Sequence, residues 1–93
     1  SHVIVISIPD YSVTPFATGL NGAYISSQID AFNQINHGIS VSYFTRYLNV
    51  TEESRKALGD ASLIAADGLH FSGEEYGIWA SMLLPLLERA ISK

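Results

Sequence analysis

The chain has 93 residues, of which 47% are hydrophobic and 15% are charged, with a net charge of −4 and no cysteine. This length suits one small domain, and the apolar fraction excludes an intrinsically disordered chain. The few Lys and Arg residues form no basic stripe, which disfavours nucleic-acid binding, and without cysteine neither disulfides nor thiolate metal sites can form. The longest apolar run is far too short to span a membrane.

The first half of the chain predicts a strand, a helix and a second strand. "VIVISIP" is a β-branched run typical of a strand buried on both faces of a parallel sheet. After a loop, "NGAYISSQIDAFNQINHG" has a helical pattern that Asn21 caps and Gly38 stops. Its apolar face comprises Ile25, Ile29, Phe32 and Ile35. "ISVSYFTRY" then predicts the second strand.

The second half of the chain predicts two helices. "NVTEESRKALG" indicates a short helix that is capped by Thr51 and ended by Gly59. In the long final helix, Ser72 and Glu75 have the spacing of a capping box, and Pro85 should bend the axis. Its apolar face comprises Tyr76, Trp79, Ala80, Leu83, Leu84, Leu87 and Ile91.

This order of elements predicts an α/β layer with parallel strands. A stable sheet generally needs three or more strands, and only two are predicted here. We therefore expect residues 1–93 to form a single partial domain within a larger α/β domain. The alternative is a chain that borrows strands from a second copy of itself.

An acid and a histidine lie in the loop before the last predicted helix. The spacing of Asp67 and His70 lets their side chains meet in an Asp-x-x-His turn, so that one ring nitrogen is held and the other is free to act as a base. The structural alternative is a surface histidine near a helix cap. A zinc site that adds Glu74 and Glu75 fits less well, because these acids suit the first turn of a helix dipole.

Two stretches resemble one enzyme family. "DGLHFSGEEYGIWA" closely resembles the last block of the SGNH (GDSL) hydrolases, D-x-L-H-P-S-G-x-x-Y-x-x-W-A. "VIVISIPDYSVTPFA" is similar to the fourth strand and following loop of members that read S-I-P-D-[WY]-x-x-T-P. The resemblance covers essentially the whole chain, in order. Phe71 stands where the family pattern has Pro, which we expect to loosen the turn slightly.

The resemblance implies a fold and an activity. The chain would be the C-terminal half of a three-layer α/β/α, flavodoxin-like SGNH hydrolase fold. Asp67 and His70 would be the acid and base of a Ser-His-Asp triad in a serine esterase or lipase-like enzyme that needs no metal or other cofactor. The implied substrate is a small-molecule ester: an acetylated sugar, a short-chain ester or a lysophospholipid.

The family's nucleophile block, Gly-Asp-Ser, and its oxyanion block, G-x-N-D, do not occur in this sequence. Ser7, Ser12 and Ser72 lie in a strand, a loop and a helix cap, where each has a structural role. We therefore expect an N-terminal half of the same protein to supply the nucleophile and oxyanion hole, and the isolated chain to be inactive. The alternative is a noncatalytic α/β domain that self-associates through its strands.

The loop after the first strand holds the candidate substrate contacts. Asp10 and Tyr11 follow that strand at its carboxyl edge, where open α/β sheets place their sites. Asp10 alternatively caps the loop. On the same argument, Thr14 and Phe16 could line an acyl pocket. We assign Trp79 to the core.

Overall fold

The computed structural model describes residues 2–91, which form a mixed α/β structure of three helices and a two-stranded parallel sheet. The elements in chain order are β1 (Ile4–Ile6), α1 (Gly22–Ser42), β2 (Arg46–Leu48), α2 (Thr51–Ser54) and α3 (Gly73–Ile91). Short 3₁₀ turns occupy Tyr11–Val13, Pro15–Ala17, Arg55–Gly59 and Ala61–Leu63. The predicted α/β class and the parallel direction of the strands are confirmed.

The sheet is smaller and more exposed than the sequence predicts. β1 pairs with β2 over three residues, in the register Ile4 with Arg46 through Ile6 with Leu48. Ile6 is 47% exposed and Ile8 is 40% exposed. The prediction that this strand is buried on both faces is therefore wrong for the described residues, because no further layer covers it there.

Helix α1 begins where predicted and ends later. Asn21 Oδ1 accepts from the Tyr24 N–H at 3.0 Å, which forms the expected cap. The helix then continues through Gly38 to Ser42, so residues 39–42 are helix and not strand. A mid-helix glycine costs only about 1 kcal/mol relative to alanine, which tertiary packing can outweigh.

The end of α1 has the hydrogen bonds of a Schellman motif. The Thr45 N–H donates to Ser40 O and the Phe44 N–H to Val41 O, each at 3.0 Å. Phe44 lies in the left-handed region, with φ of 60°, a position that glycine usually occupies. The left-handed residue that follows helix α1 is therefore Phe44, although phenylalanine is not a residue type from which the end of a helix is predicted.

Helix α2 is short, and Thr51 is not its cap. The helix covers four residues and continues as the 3₁₀ turn to Gly59. The Thr51 N–H donates to Asn49 Oδ1 at 2.9 Å, while the Thr51 hydroxyl donates to Ile8 O at 2.7 Å. Thr51 thus joins α2 to the end of β1, and the predicted cap is wrong because that tertiary bond occupies the hydroxyl.

The apolar core is small. The buried apolar residues in the described part of the chain are Ala17, Ile29, Val50, Ala57, Leu63, Phe71 and Ala90. The radius of gyration is 14.4 Å, against about 12 Å expected for a domain of this length. On the predicted apolar face of α1, Phe32 is 59% and Ile35 is 60% exposed. The faces predicted to pack are only partly covered.

Helix α3 buries an acid at its first turn. The Glu75 N–H donates to Ser72 Oγ at 3.3 Å, which is one half of the predicted capping box. The Glu75 side chain does not return the bond: the residue is 0% exposed and both carboxyl oxygens lack a partner among residues 2–91. Burial and the nearby carboxylate of Glu53 raise the pKa of Glu75 above its ordinary 4.5, against a weaker opposing effect of Lys56.

We predict that Glu75→Gln stabilises the chain at neutral pH. Because the pKa of Glu75 is raised by folding, its contribution to the wild-type free energy of unfolding is most favourable below about pH 4.5 and falls as pH rises through the folded value. The uncharged amide should remove this fall and add about 1–3 kcal/mol at pH 8. Urea denaturation from pH 4 to 8 measures it, with the exposed neighbour change Glu74→Gln as control. Parallel curves for wild type and Glu75→Gln would contradict the prediction.

Candidate active site

Asp67 and His70 lie at the tip of a hairpin-like turn between Leu63 and Ser72. Ile64 and Phe71 form an antiparallel bridge at its base. The Ala65 N–H donates to His70 O and the Ser72 N–H to Leu63 O, both at 2.8 Å. Backbone pairing therefore fixes the turn on both sides of the histidine.

Phe71 anchors this turn to the core. It is buried with Ala57 and Leu63, and its ring centroid lies 5.3 Å from that of Trp79. From the family resemblance, we expected Phe71, which stands in place of Pro, to loosen the turn slightly. The structure instead gives the phenyl ring a buried position that fixes the residue directly after His70.

Gly68 makes the tip possible. Its φ is +74°, a conformation that side chains disfavour, and its N–H donates to Ala65 O at 3.0 Å. A Cβ at this position would also lie 3.5 Å from Pro15 Cβ. The Phe16 N–H donates to Gly68 O at 2.9 Å, which ties the turn to the loop after β1.

Asp67 holds the histidine from two sides. Its Oδ1 accepts from the backbone N–H groups of Leu69 and His70, each at 2.9 Å, and its Oδ2 lies 2.5 Å from His70 Nδ1. The hydrogen bond with the His70 ring, followed by those from the two backbone amides, lowers the pKa of Asp67 to about 2. The structure thus brings the predicted acid and base into contact.

The second ring nitrogen of His70 is available. With Nδ1 directed at a carboxylate, the neutral ring carries its proton on Nδ1 and leaves Nε2 as an acceptor. Within residues 2–91, no group hydrogen-bonds to Nε2, and the His70 side chain is 68% exposed. This arrangement can accept a proton from a group that approaches from outside the described chain.

Two clefts adjoin the turn. One, of about 290 Å³, is lined by His70, its neighbours Leu69 and Phe71, and by Pro9, Tyr11, Tyr76 and Trp79. The other, of about 950 Å³, contacts the turn at Gly68 and runs between residues 12–22 and 57–66. Only the smaller cleft has His70 in its wall.

The predicted substrate contacts are distributed unequally. Tyr11 lines the His70 cleft, and Thr14 lines the larger cleft although it is only 3% exposed. Phe16 is 58% exposed and contacts the turn through its backbone. Asp10 is 1% exposed, and its carboxylate accepts from Ser12, Ser26 and Arg55. The structure gives Asp10 a role in holding this loop, which was the alternative.

The local serines have structural partners. Ser7 is buried, accepts from the Val50 N–H at 2.8 Å and lies 2.8 Å from Thr51 Oγ1. The Ser72 hydroxyl donates to Ser62 O at 2.6 Å. In the described part of the chain, no serine hydroxyl hydrogen-bonds to His70.

Sequence reasoning missed part of the cleft wall. It assigned Trp79 and Tyr76 to a helix face that packs on the core, yet both line the cleft at His70. The available signal was their spacing of three residues on the helix that begins shortly after His70.

Residues 2–91 contain no group of three or more acidic or histidine side chains that could hold a metal ion. None of the described helices is long and apolar enough to cross a membrane.

Comparison with family models, curated proteins and solved structures finds no match for this chain.

We predict that the Asp67–His70 contact fixes the histidine tautomer and is lost only in strong acid. Because the pKa of Asp67 is lowered from 3.8 to about 2, its contribution is complete above about pH 4 and is lost as pH falls through 2. At pH 8, ¹⁵N NMR should show His70 protonated on Nδ1, and Asp67→Ala should shift the proton to Nε2. His2 and His37 are internal controls. An unchanged His70 tautomer in Asp67→Ala would contradict the assignment.

Proposed function

We propose that this chain supplies the acid and base of a serine ester hydrolase, as the C-terminal half of an SGNH-like three-layer α/β/α domain. One observation carries the proposal: Asp67 holds Nδ1 of His70 while Nε2 is exposed and has no partner among residues 2–91. A histidine that acts as a general base needs one ring nitrogen held in place and the other free to accept a proton. The resemblance of the two sequence stretches to SGNH hydrolases supports the reaction class.

The reaction would be acyl transfer through a serine of a segment outside this sequence. His70 Nε2 accepts the hydroxyl proton as the serine oxygen bonds to the ester carbonyl carbon, and then donates it to the departing alkoxide. His70 next removes a proton from the water that attacks the acyl carbon, and returns this proton to the serine oxygen as the acyl–serine bond breaks and the acid is released. Asp67 stabilises the imidazolium in both steps. The oxyanion donors belong to the same outside segment.

The exposed apolar surface supports a half-domain. Ile6 of β1 and the flanking residues Val3 and Ile8 are each at least 40% exposed. On α3, Leu84 and Ile91 are 54% and 74% exposed. An N-terminal half that adds strands beside this sheet, with helices across its faces, would cover such surface.

We predict that His70→Ala abolishes ester hydrolysis in the protein encoded by the complete gene. Loss of one triad member lowers kcat by about 10³–10⁶-fold, so p-nitrophenyl acetate turnover should fall to background with the fold retained by circular dichroism. His2→Ala is the matched control, because His2 is exposed and far from the turn in sequence. An unaffected rate in His70→Ala would remove His70 from the mechanism.

The alternative function is a noncatalytic domain that self-associates through its strands. The observation that favours it is the same exposed β1, since each of the two strands has one edge unpaired within the described residues. Its occupant would be the β1 strand of a second copy, and no ester turnover would be expected in any context.

We predict that the isolated chain self-associates at micromolar concentration. Association should bury the apolar side chains of β1, so Ile6→Lys should shift the chain toward monomer, whereas Leu58→Lys should not, because Leu58 is 75% exposed and outside the sheet. Sedimentation velocity measures the distribution. A wild-type monomer with a sharp thermal transition would contradict the prediction.

A further inference from the structure

We infer that the cleft beside His70 is an acyl-binding pocket, with Tyr76 and Trp79 of α3 as its specificity-determining residues, and that it favours medium-length apolar acyl groups over acetyl. The inference rests on the proposed esterase function for the identity of the bound group. Its observations are the lining of the cleft, the aromatic contacts that build its wall and its volume.

The wall of the cleft is built before any ligand binds. The Tyr76 and Trp79 rings meet edge to face, with centroids 4.9 Å apart and planes at 79°. Trp79 also contacts Phe71, whose buried ring belongs to the core with Leu63. Aromatic pairs of this kind stabilise a structure beyond the area that they bury. The cleft is therefore attached to the same core that fixes the catalytic turn.

The chemistry of the lining selects an uncharged occupant. Apart from His70, no residue that lines the cleft carries an ionisable group other than the two tyrosine hydroxyls. Without Lys or Arg in this lining, a phosphate headgroup or a carboxylate finds no permanent positive charge there, and Asp67, next to His70, disfavours an anion further. An aliphatic or aromatic chain suits Tyr11, Leu69 and Trp79.

The position of the cleft suits the acyl portion of an ester. His70 is itself part of the wall, so a chain in the cleft ends beside the imidazole. In acyl transfer the base lies within hydrogen-bond reach of the attacking oxygen, next to the carbonyl carbon. A group that fills the cleft would hold its carbonyl at the mouth, where a serine hydroxyl could be deprotonated by Nε2.

The volume of the cleft determines the length of the acyl chain that fits it. The cleft is an open groove of about 290 Å³, which at roughly 30 Å³ per water-sized group has room for about ten such groups. An acetyl group leaves most of this space to water. Each further methylene buried should tighten binding about fourfold until the cleft is full.

A binding experiment tests the pocket without requiring turnover. Neutral amides from acetamide to octanamide are titrated into the chain of residues 1–93. Trp79 is its single tryptophan, so the intrinsic indole fluorescence reports the cleft alone. We expect the Kd to fall about fourfold per methylene up to about hexanamide or octanamide. Equal, or undetectable, binding along the series would overturn the inference.

A matched pair of variants locates the binding. Tyr76→Ala should weaken hexanamide binding about tenfold or more, because it removes part of the apolar wall against which the acyl chain packs. Tyr24→Ala is the control, because Tyr24 has similar exposure, 60% against 52%, and lies on α1 outside the cleft. Equal affinities for the two variants would place the amide elsewhere and overturn the inference.

The two proposals fail separately. Chain-length-dependent amide binding, together with full esterase activity of His70→Ala in the complete protein, would retain the pocket and reject the catalytic pair. Loss of activity in His70→Ala without chain-length-dependent binding would retain the pair and reject the pocket.

Discussion

The buried ion pair between Asp10 and Arg55 is the contact on which the described structure depends. Arg55 Nε donates to Asp10 Oδ2 at 2.8 Å, and the same guanidinium reaches Asp30 of α1 at 2.8 Å. Burial raises the pKa of Asp10, but hydrogen bonds from Ser12, Ser26 and Arg55 outweigh it and hold the pKa below its ordinary value. The pair joins the loop after β1 to α1 and to the segment after α2. Removal of one partner of such a pair leaves a buried charge, at a cost of about 3–5 kcal/mol.

The position of the Asp67–His70 turn depends on this ion pair. Asp10 Oδ1 accepts from the Ser12 N–H at 2.9 Å and so starts the turn Tyr11–Val13. Val13 packs against the cluster that contains Phe71, and the Phe16 N–H holds Gly68 O. A series of contacts therefore connects the buried carboxylate of Asp10, through the loop after β1, to the tip of the Asp67–His70 turn at Gly68 and to its base at Phe71. With a small apolar core, directional polar contacts carry much of this positioning.

Local chemistry made part of this structure predictable. The Asn21 cap and the meeting of Asp67 with His70 follow from residue types a few positions apart, and the parallel strands follow from the order of strand, helix and strand. The wrong predictions concern positions where contacts with residues distant in the sequence determine the local structure. Gly38 is a valid local stop, yet α1 continues past it, and Glu75 has the spacing of a capping box but turns into the interior. Trp79 packs against the core as predicted, yet it also lines the cleft with Tyr76, because helical periodicity cannot distinguish a packed face from one that lines a cleft.

The exposure of Asp67 and His70 bears on how the proposed reaction would proceed. Asp67 and His70 side chains are 50% and 68% exposed, so water screens their interaction in the described chain. The attraction between two charges is weaker in water than in a partly desolvated site, because the effective dielectric constant is higher in water. A segment that brings a serine to Nε2 would also exclude this water, and would thereby strengthen the stabilisation of the imidazolium by Asp67. Delivery of the nucleophile and activation of the base would then be one docking event.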